Sequence, residues 1–280
     1  MTSLYLCSFA SPDLERSKKR FLDQSSELNI YEEKKVFSFN DLSEKKKIQI
    51  KKFIKENKKR LYGYACWKPE IILNYLNKIP EGSILQYSDI GCHFNKNGLK
   101  RLKEYLEITD KNNILVFQYK EPDTKINSNL RYQVYYEQEY TKSDLFSFLK
   151  IPTYSSIRTS EQIWSGTMFL KKNLENINLL EKWLEISYLS NLIDDSPSIE
   201  TNHDKFVDHR HDQSIFSILC KSRDIESLSV SECEWAEDEN GRYWDHLKYF
   251  PILAKRDKKF NLLKRFFLRQ IKTFKRIFKK

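Results

Sequence analysis

The sequence predicts an α/β protein, a mostly parallel sheet flanked by helices. Residues 4–10 (LYLCSFA) form a short apolar run, and Ser11-Pro12-Asp13 turns it into a helix. Further on, Ile71, Ile72, Tyr75, Leu76 and Ile79 recur at helical spacing until Pro80-Glu81-Gly82 ends them before a second apolar run, 83–87. Strands alternating with helices in this way belong to parallel sheets. The second run ends directly on Ser88-Asp89-Ile90-Gly91, and open sheets bind ligands at the carboxyl ends of their strands.

In chain order, the first helix runs from residue 11 to about 28, and residues 36–39 (VFSF) make a second strand. Asn40-Asp41-Leu42-Ser43 is a turn and cap before residues 44–59, where Ile48, Ile50, Phe53 and Ile54 stand on a ground of lysines. That stretch reads either as a nucleic-acid contact or as a solvated helix with one apolar stripe. Trp67-Lys68-Pro69 opens the helix over 71–79, since proline at a first helical position is pre-set for helix. A helix over 98–106 and a strand over 114–117 follow, then the polar, tyrosine-rich residues 119–140. These suit stacking on sugar faces, or a hairpin with exposed aromatics. Thr141, with Asp144 three residues on, comes close to a capping box for a helix over 141–148. Residues 162–171 form a strand with Trp164-Ser165-Gly166 at its head; glycine there marks a bulge or a close backbone approach. A helix over about 176–188 comes next, then the polar segment 194–212, and an apolar helix follows His211-Asp212-Gln213-Ser214. Residues 230–249 are irregular and close the domain.

Three places carry candidate chemistry. Asp89 at a strand's end could hold magnesium or manganese, which take oxygen ligands, usually one or two carboxylates plus diphosphate oxygens. Gly91 would let a bulky ligand approach. The alternative is an Asx-turn in which Asp89 bonds its own backbone. The segment with His203, His209, His211, Asp204, Asp208 and Asp212 invites a metal reading, but its spacing matches no ligand motif, and a polar loop explains it as well. Asp212 stands where an N-cap would, or where a carboxylate could act as general base.

The pattern WKPEIILNYL, turn, ILQYSDIG, with HDQS later, resembles GT-A-fold bacterial glycosyltransferases that use nucleotide sugars, over residues 4–219. The resemblance implies a GT-A-like (Rossmann-like) sheet, a nucleotide-diphospho-sugar donor and a divalent cation, Mn2+ or Mg2+, at Asp89. Gly91 replaces the second aspartate of the family's Asp-X-Asp. By the same resemblance, Ser8 and Ser11 lie by the nucleotide, and Ser88, Asp89, Gly91 and Gly166 by the diphosphate and donor sugar. Lys68 or Arg210 neutralises the leaving diphosphate, and His211 and Asp212 face the reaction centre. A late histidine, His246, completes the metal shell. The acceptor is a glycan or lipid-linked sugar of lipopolysaccharide or capsule type.

Composition narrows the alternatives. Of 280 residues, 40% are hydrophobic and 14% aromatic, which excludes a disordered chain. Five scattered cysteines without a CxxC exclude a disulfide framework and fit a reducing compartment. No run of about 18 apolar residues occurs, and the start lacks the basic region of a secretory signal, so a cytoplasmic location is expected. The net charge of +10 is uneven: twelve of the 49 Lys and Arg and one of the 39 Asp and Glu fall in residues 255–280. The rest holds 37 basic against 38 acidic residues, a net of −1. We therefore expect a catalytic domain over 1–254 and a basic amphipathic helix over 255–280. Phe260, Leu263, Phe267, Ile271, Phe274 and Phe278 line one face of that helix, as suits an anionic membrane's inner surface rather than nucleic acid. Two other functions compete: a metal-dependent phosphoester hydrolase, and a non-catalytic membrane- or nucleic-acid-binding module.

Overall fold

Six strands form one sheet: β1 (Leu4–Phe9), β2 (Glu33–Phe37), β3 (Ile84–Ser88), β4 (Ile114–Gln118), β5 (Ile163–Lys171) and β6 (Ser227–Ser229). Their order is β2-β1-β3-β5-β4-β6. The structure is a computed structural model that describes residues 2–56, 60–122 and 129–255, with Gln270. The expected membrane helix over 255–280 therefore falls outside the described residues, apart from Lys255 and Gln270. Among the described residues, no helix is long and apolar enough to cross a membrane.

β1 pairs parallel with β2 and β3, and β4 pairs parallel with β6. Only β5 runs the other way, antiparallel to β3 and β4. The mostly parallel α/β sheet expected from the sequence is present. The reversal of β5 matters for the site, because it brings the head of that strand to the edge where β1, β3 and β4 end.

Alternation along the strands sorts side chains onto two faces. Cys7, Phe9, Leu85, Tyr87, Val116 and Met168 join one core. It is roofed by α3 (Lys68–Leu76), α5 (Leu174–Ser187) and α6 (Asp212–Lys221). Leu4, Leu6, Ile84, Leu115, Phe117 and Phe169 join the other, under α1 (Glu15–Ser26) and α4 (Leu99–Asn112). Strands buried on both faces read as continuous apolar runs, which is why residues 83–87 and 114–117 stand out in the sequence.

Local chemistry moves some boundaries. The second strand ends at Phe37 because Ser38 leaves the ladder: its N–H and hydroxyl both donate to Asp41. The lysine-rich helix α2 (Glu44–Lys55) is capped by Ser43, and its stripe is Ile50 and Phe53. Ile48 is exposed, whereas Lys46 is buried with its ammonium on Gln49, Ser187 and the ring of Tyr188. No capping box forms at Thr141. Asp144 instead accepts the N–H groups of Ile199 and Glu200, and the helix there is only Ser143–Phe148. A two-strand hairpin, Ala236–Asp238 with Gly241–Tyr243, lies within the segment expected to be irregular.

Gly166 is explained by its neighbour two residues back. A Cβ there would stand 2.1 Å from the indole of Trp164, so the close approach expected at this glycine is made by the chain's own tryptophan. Gly166→Ala should push that ring out of a packed face and cost about 1–3 kcal/mol. A lowered urea midpoint is the expected result, with recovery when Trp164→Leu is added. An unchanged midpoint in the single variant would show that the ring is free to move.

Candidate functional site

The chain reaches α3 through five successive residues at positive φ, Leu61 to Ala65, between 48° and 85°. Four of them are not glycine, and such a conformation costs on the order of 1–3 kcal/mol per residue. Packing holds the run in place. Tyr64 lies against Phe53 and His211, and Trp67 stacks on Phe9 with ring centroids 3.9 Å apart. What this holds in position is Lys68, the first residue of α3.

The Lys68 ammonium lies 2.7 Å from Asp212 Oδ2 and 3.2 Å from Asp89 Oδ1. It also donates to the carbonyl and the hydroxyl of Ser165, each at 3.2 Å. Three elements meet here: Asp89 follows β3, Ser165 heads β5, and Asp212 opens α6. The Tyr87 hydroxyl donates to Asp89 Oδ1 at 2.7 Å, and the Ser165 hydroxyl to Asp212 Oδ2 at 2.8 Å. The Asp89 N–H donates to the Gly166 carbonyl. The Asp89 carboxylate is thus taken up by the Tyr87 hydroxyl and the Lys68 ammonium, in place of the Asx-turn the sequence allowed. The two carboxylates differ in access: the side chain of Asp89 is 43% exposed, those of Asp212 and Lys68 only 4%. The network uses Oδ1 of Asp89 and Oδ2 of Asp212, so each keeps one oxygen outside it.

Burial pushes the Asp212 carboxyl above the ordinary carboxylate value, against the opposing pull of Lys68 and Ser165. For Lys68, burial pulls the pKa down, but the two carboxylates outweigh it and the ammonium is held above its usual value. A buried pair of this kind is weak evidence for stability and better evidence for a site, because burying charge is costly. Asp212 is also not a cap. The residue before it, His211, holds that position at φ 55°, with no side-chain hydrogen bond to the helix.

The other expected residues divide. The Ser88 hydroxyl is bonded inside the sheet to Thr167 and Gln86. The Ser8 hydroxyl is buried without a partner, and Ser11 bonds Asp13. Ser11 also lines a cavity of about 190 Å³ at the ends of β1 and β2, with Ala10, Lys18, Phe37, Phe39 and Tyr62. Gly91 lies in a turn closed by Cys92 N–H to Asp89 O and carries no side-chain donor. The Arg210 guanidinium is clasped by Tyr135 at 3.8 Å and Tyr140 at 4.4 Å, near the end of β4. This gives the tyrosine-rich segment a definite task, which is to hold that arginine.

The histidines are not assembled into a metal centre. His211 is buried, with Nδ1 on the Ile193 carbonyl and Nε2 3.6 Å from Asp195. His209 donates from Nε2 to the Leu192 carbonyl and accepts from the Lys142 N–H. His203 accepts from Lys205 N–H, and His246 Nε2 lies 3.1 Å from the Glu234 carbonyl and 3.2 Å from that of Ser231. Among the described residues, no three His, Cys, Asp or Glu are grouped to hold a metal. The metal reading of the 203–212 segment therefore finds no ligand group in the fold, and His246 turns its Nε2 to backbone carbonyls while its Nδ1 is buried without a hydrogen-bond partner.

Burial, and then the nearby charges of His211 and Lys142, lower the His209 pKa well below 6.5. Burial, and then Arg60, take that of His211 to about 4. Both rings are therefore neutral in the fold, while the unfolded chain protonates them near pH 6.5. Their contribution is complete above that pH and is lost as pH falls toward 4. Stability should drop by up to about 1.4 kcal/mol per pH unit for each histidine. Urea melts between pH 7 and 4.5 check this, and His209→Gln should flatten the slope. A slope unchanged by the substitution would contradict it.

Asp89, its side chain 43% exposed, offers one hard oxygen ligand to solvent, and that fits a divalent cation carried mainly by a substrate's phosphates. It does not fit one held by the protein alone.

No protein-family model matches the chain, and no curated protein matches it in sequence. Solved structures similar to it include two glycosyltransferases. One is described as involved in the glycosylation of the major capsid of PBCV-1, at 11% identity, covering 90% of this chain and 91% of that one with a TM-score of 0.41. Mouse xyloside xylosyltransferase 1, in its apo form, is 10% identical, with 84% and 87% covered and a TM-score of 0.40. The 4-diphosphocytidyl-2C-methyl-D-erythritol synthase of Anaerococcus prevotii DSM 20548 is also similar, at 12% identity, 95% and 94% covered, TM-score 0.40.

Proposed function

We propose that this chain is a glycosyltransferase that moves a sugar from a nucleotide-diphospho-sugar to a hydroxyl of a glycan or lipid-linked acceptor. The observation that carries the reading is the Asp89–Lys68–Asp212 cluster at the carboxyl edge of a mostly parallel sheet, with a half-open carboxylate in front of a buried one. Transfer needs stabilisation of a leaving diphosphate and removal of a proton from the incoming hydroxyl. Asp89, through Oδ2, and the donor's diphosphate would hold Mn2+ or Mg2+, whose charge offsets that of the leaving group. Asp212 takes the acceptor's proton through the oxygen that lies outside the network, and burial, by raising its pKa, makes it a stronger base than an ordinary carboxylate. Arg210, fixed by its tyrosines, faces the anionic reactants from the β4 side of the same edge. The cavity by Ser11 takes the nucleoside. Lys68 is better placed to hold the two carboxylates than to meet the diphosphate, since both already claim its ammonium.

The tail over 255–280 adds attachment to the inner face of the cytoplasmic membrane, on its sequence pattern alone. A lipid-linked acceptor lies at that surface. Incubation with a panel of nucleotide sugars and manganese, read by nucleotide release, tests the activity. A rise in melting temperature with UDP or GDP plus metal supports it, because ligands of the folded state stabilise that state. No release from any donor, together with no shift by any nucleotide, would reject it.

A further inference from the structure

The geometry points to Lys68 as a tethered cation that occupies the place between Asp89 and Asp212, so that the folded protein admits a divalent metal only together with a diphosphate. The inference rests on the glycosyltransferase reading only for the identity of that diphosphate.

Asp89 Oδ1 and Asp212 Oδ2 both lie within 3.2 Å of one nitrogen, so they are no more than about 6 Å apart. Two carboxylates at that separation, with the Ser165 carbonyl and hydroxyl beside them, resemble a half-built oxygen site for a cation. The ammonium fills it. The side chain is 4% exposed and emerges from the first residue of a helix whose entry is locked by the left-handed run 61–65. A metal ion cannot enter beside it without placing two like charges within a few ångströms of each other in a poorly solvated site. What stays open is the outer oxygen of Asp89, a single protein ligand, and magnesium or manganese bound by one carboxylate draws its other ligands from phosphate and water. Lys68 is therefore a positioning residue. It sets the spacing of the two carboxylates and makes cation binding conditional on the donor.

The test uses Mn2+ alone, followed by calorimetry and by melting temperature, with no sugar donor present. The wild-type protein should show no one-to-one manganese site. Lys68→Met should gain one, binding at least about tenfold more tightly than any wild-type signal, and manganese should raise its melting temperature. Lys68→Met/Asp212→Asn should lose the gain. If Lys68→Met does not fold, Lys68→Gln replaces it with a polar end of similar length. The wild-type arm, with and without UDP or GDP, stands independently of either variant. A one-to-one manganese site in the wild type without nucleotide overturns the inference, as does a folded Lys68 variant that gains none. Failure of the glycosyltransferase reading looks different: no nucleotide is released from any donor, while the Lys68 variant still gains its metal site.

Discussion

Asp89→Asn is expected to keep its fold and lose about 10²–10³-fold in turnover, the scale of removing one group that offsets charge in a transition state. The amide has the shape of the carboxylate, and its oxygen can still accept from Tyr87 and Lys68. What it lacks is the negative charge that makes the outer oxygen a ligand for a cation shared with a diphosphate. Asp89 is 43% exposed, so its ion pair with Lys68 is well screened, and stability should change by no more than about 1 kcal/mol. Nucleotide release measured across manganese concentrations should show a raised metal requirement as well as lower turnover. Wild-type rates in the variant, or full wild-type activity in EDTA, would remove Asp89 from the proposed mechanism.

The cluster was legible in the sequence to different depths. Asp89, Lys68 and Asp212 could each be singled out locally: one ends an apolar run, one precedes a helix-opening proline, one precedes an apolar helix. Their meeting could not be read, because it depends on β5 running against the other strands. Periodicity reports that a strand exists and says nothing of its direction. The same reversal brings Ser165 to Asp212, and no local signal in Trp164-Ser165-Gly166 marks the serine as the partner. Gly166 shows the opposite error. A glycine in a strand signals a close approach correctly, but the approaching group is Trp164, a contact between residues two apart on the same face.

Polar density misleads for a related reason. The 203–212 segment looks like a ligand set because its histidines are close in sequence, yet a loop without regular structure must satisfy its own backbone. The rings of His209 and His211 are used instead to satisfy backbone groups of neighbouring segments, at Lys142, Leu192 and Ile193. A tertiary use of this kind leaves no periodic trace. The alternation of the strands, by contrast, was legible, since it is repeated at every second residue and enforced by two cores.

The largest effect is expected at Asp212. Asp212→Asn should lower turnover by about 10²–10⁴-fold if the carboxylate receives the acceptor's proton. Capping cannot account for such a loss, because His211 occupies the cap and Asp212 is already inside the helix. The substitution should also destabilise, by about 3 kcal/mol, since it leaves the buried Lys68 ammonium with only the more distant Asp89 as counter-charge. Two effects in one variant call for a way to separate them. Lys68→Met/Asp212→Leu removes both buried charges together, and apolar replacements of buried ion pairs are often neutral in stability. The double variant should therefore melt near the wild type and remain inactive. Turnover that returns together with stability would make Asp212 a structural partner of Lys68 and nothing more. Inactivity at wild-type stability leaves the proton as the remaining explanation, and a pH–rate profile that loses its acidic limb in Asp212→Asn would assign it.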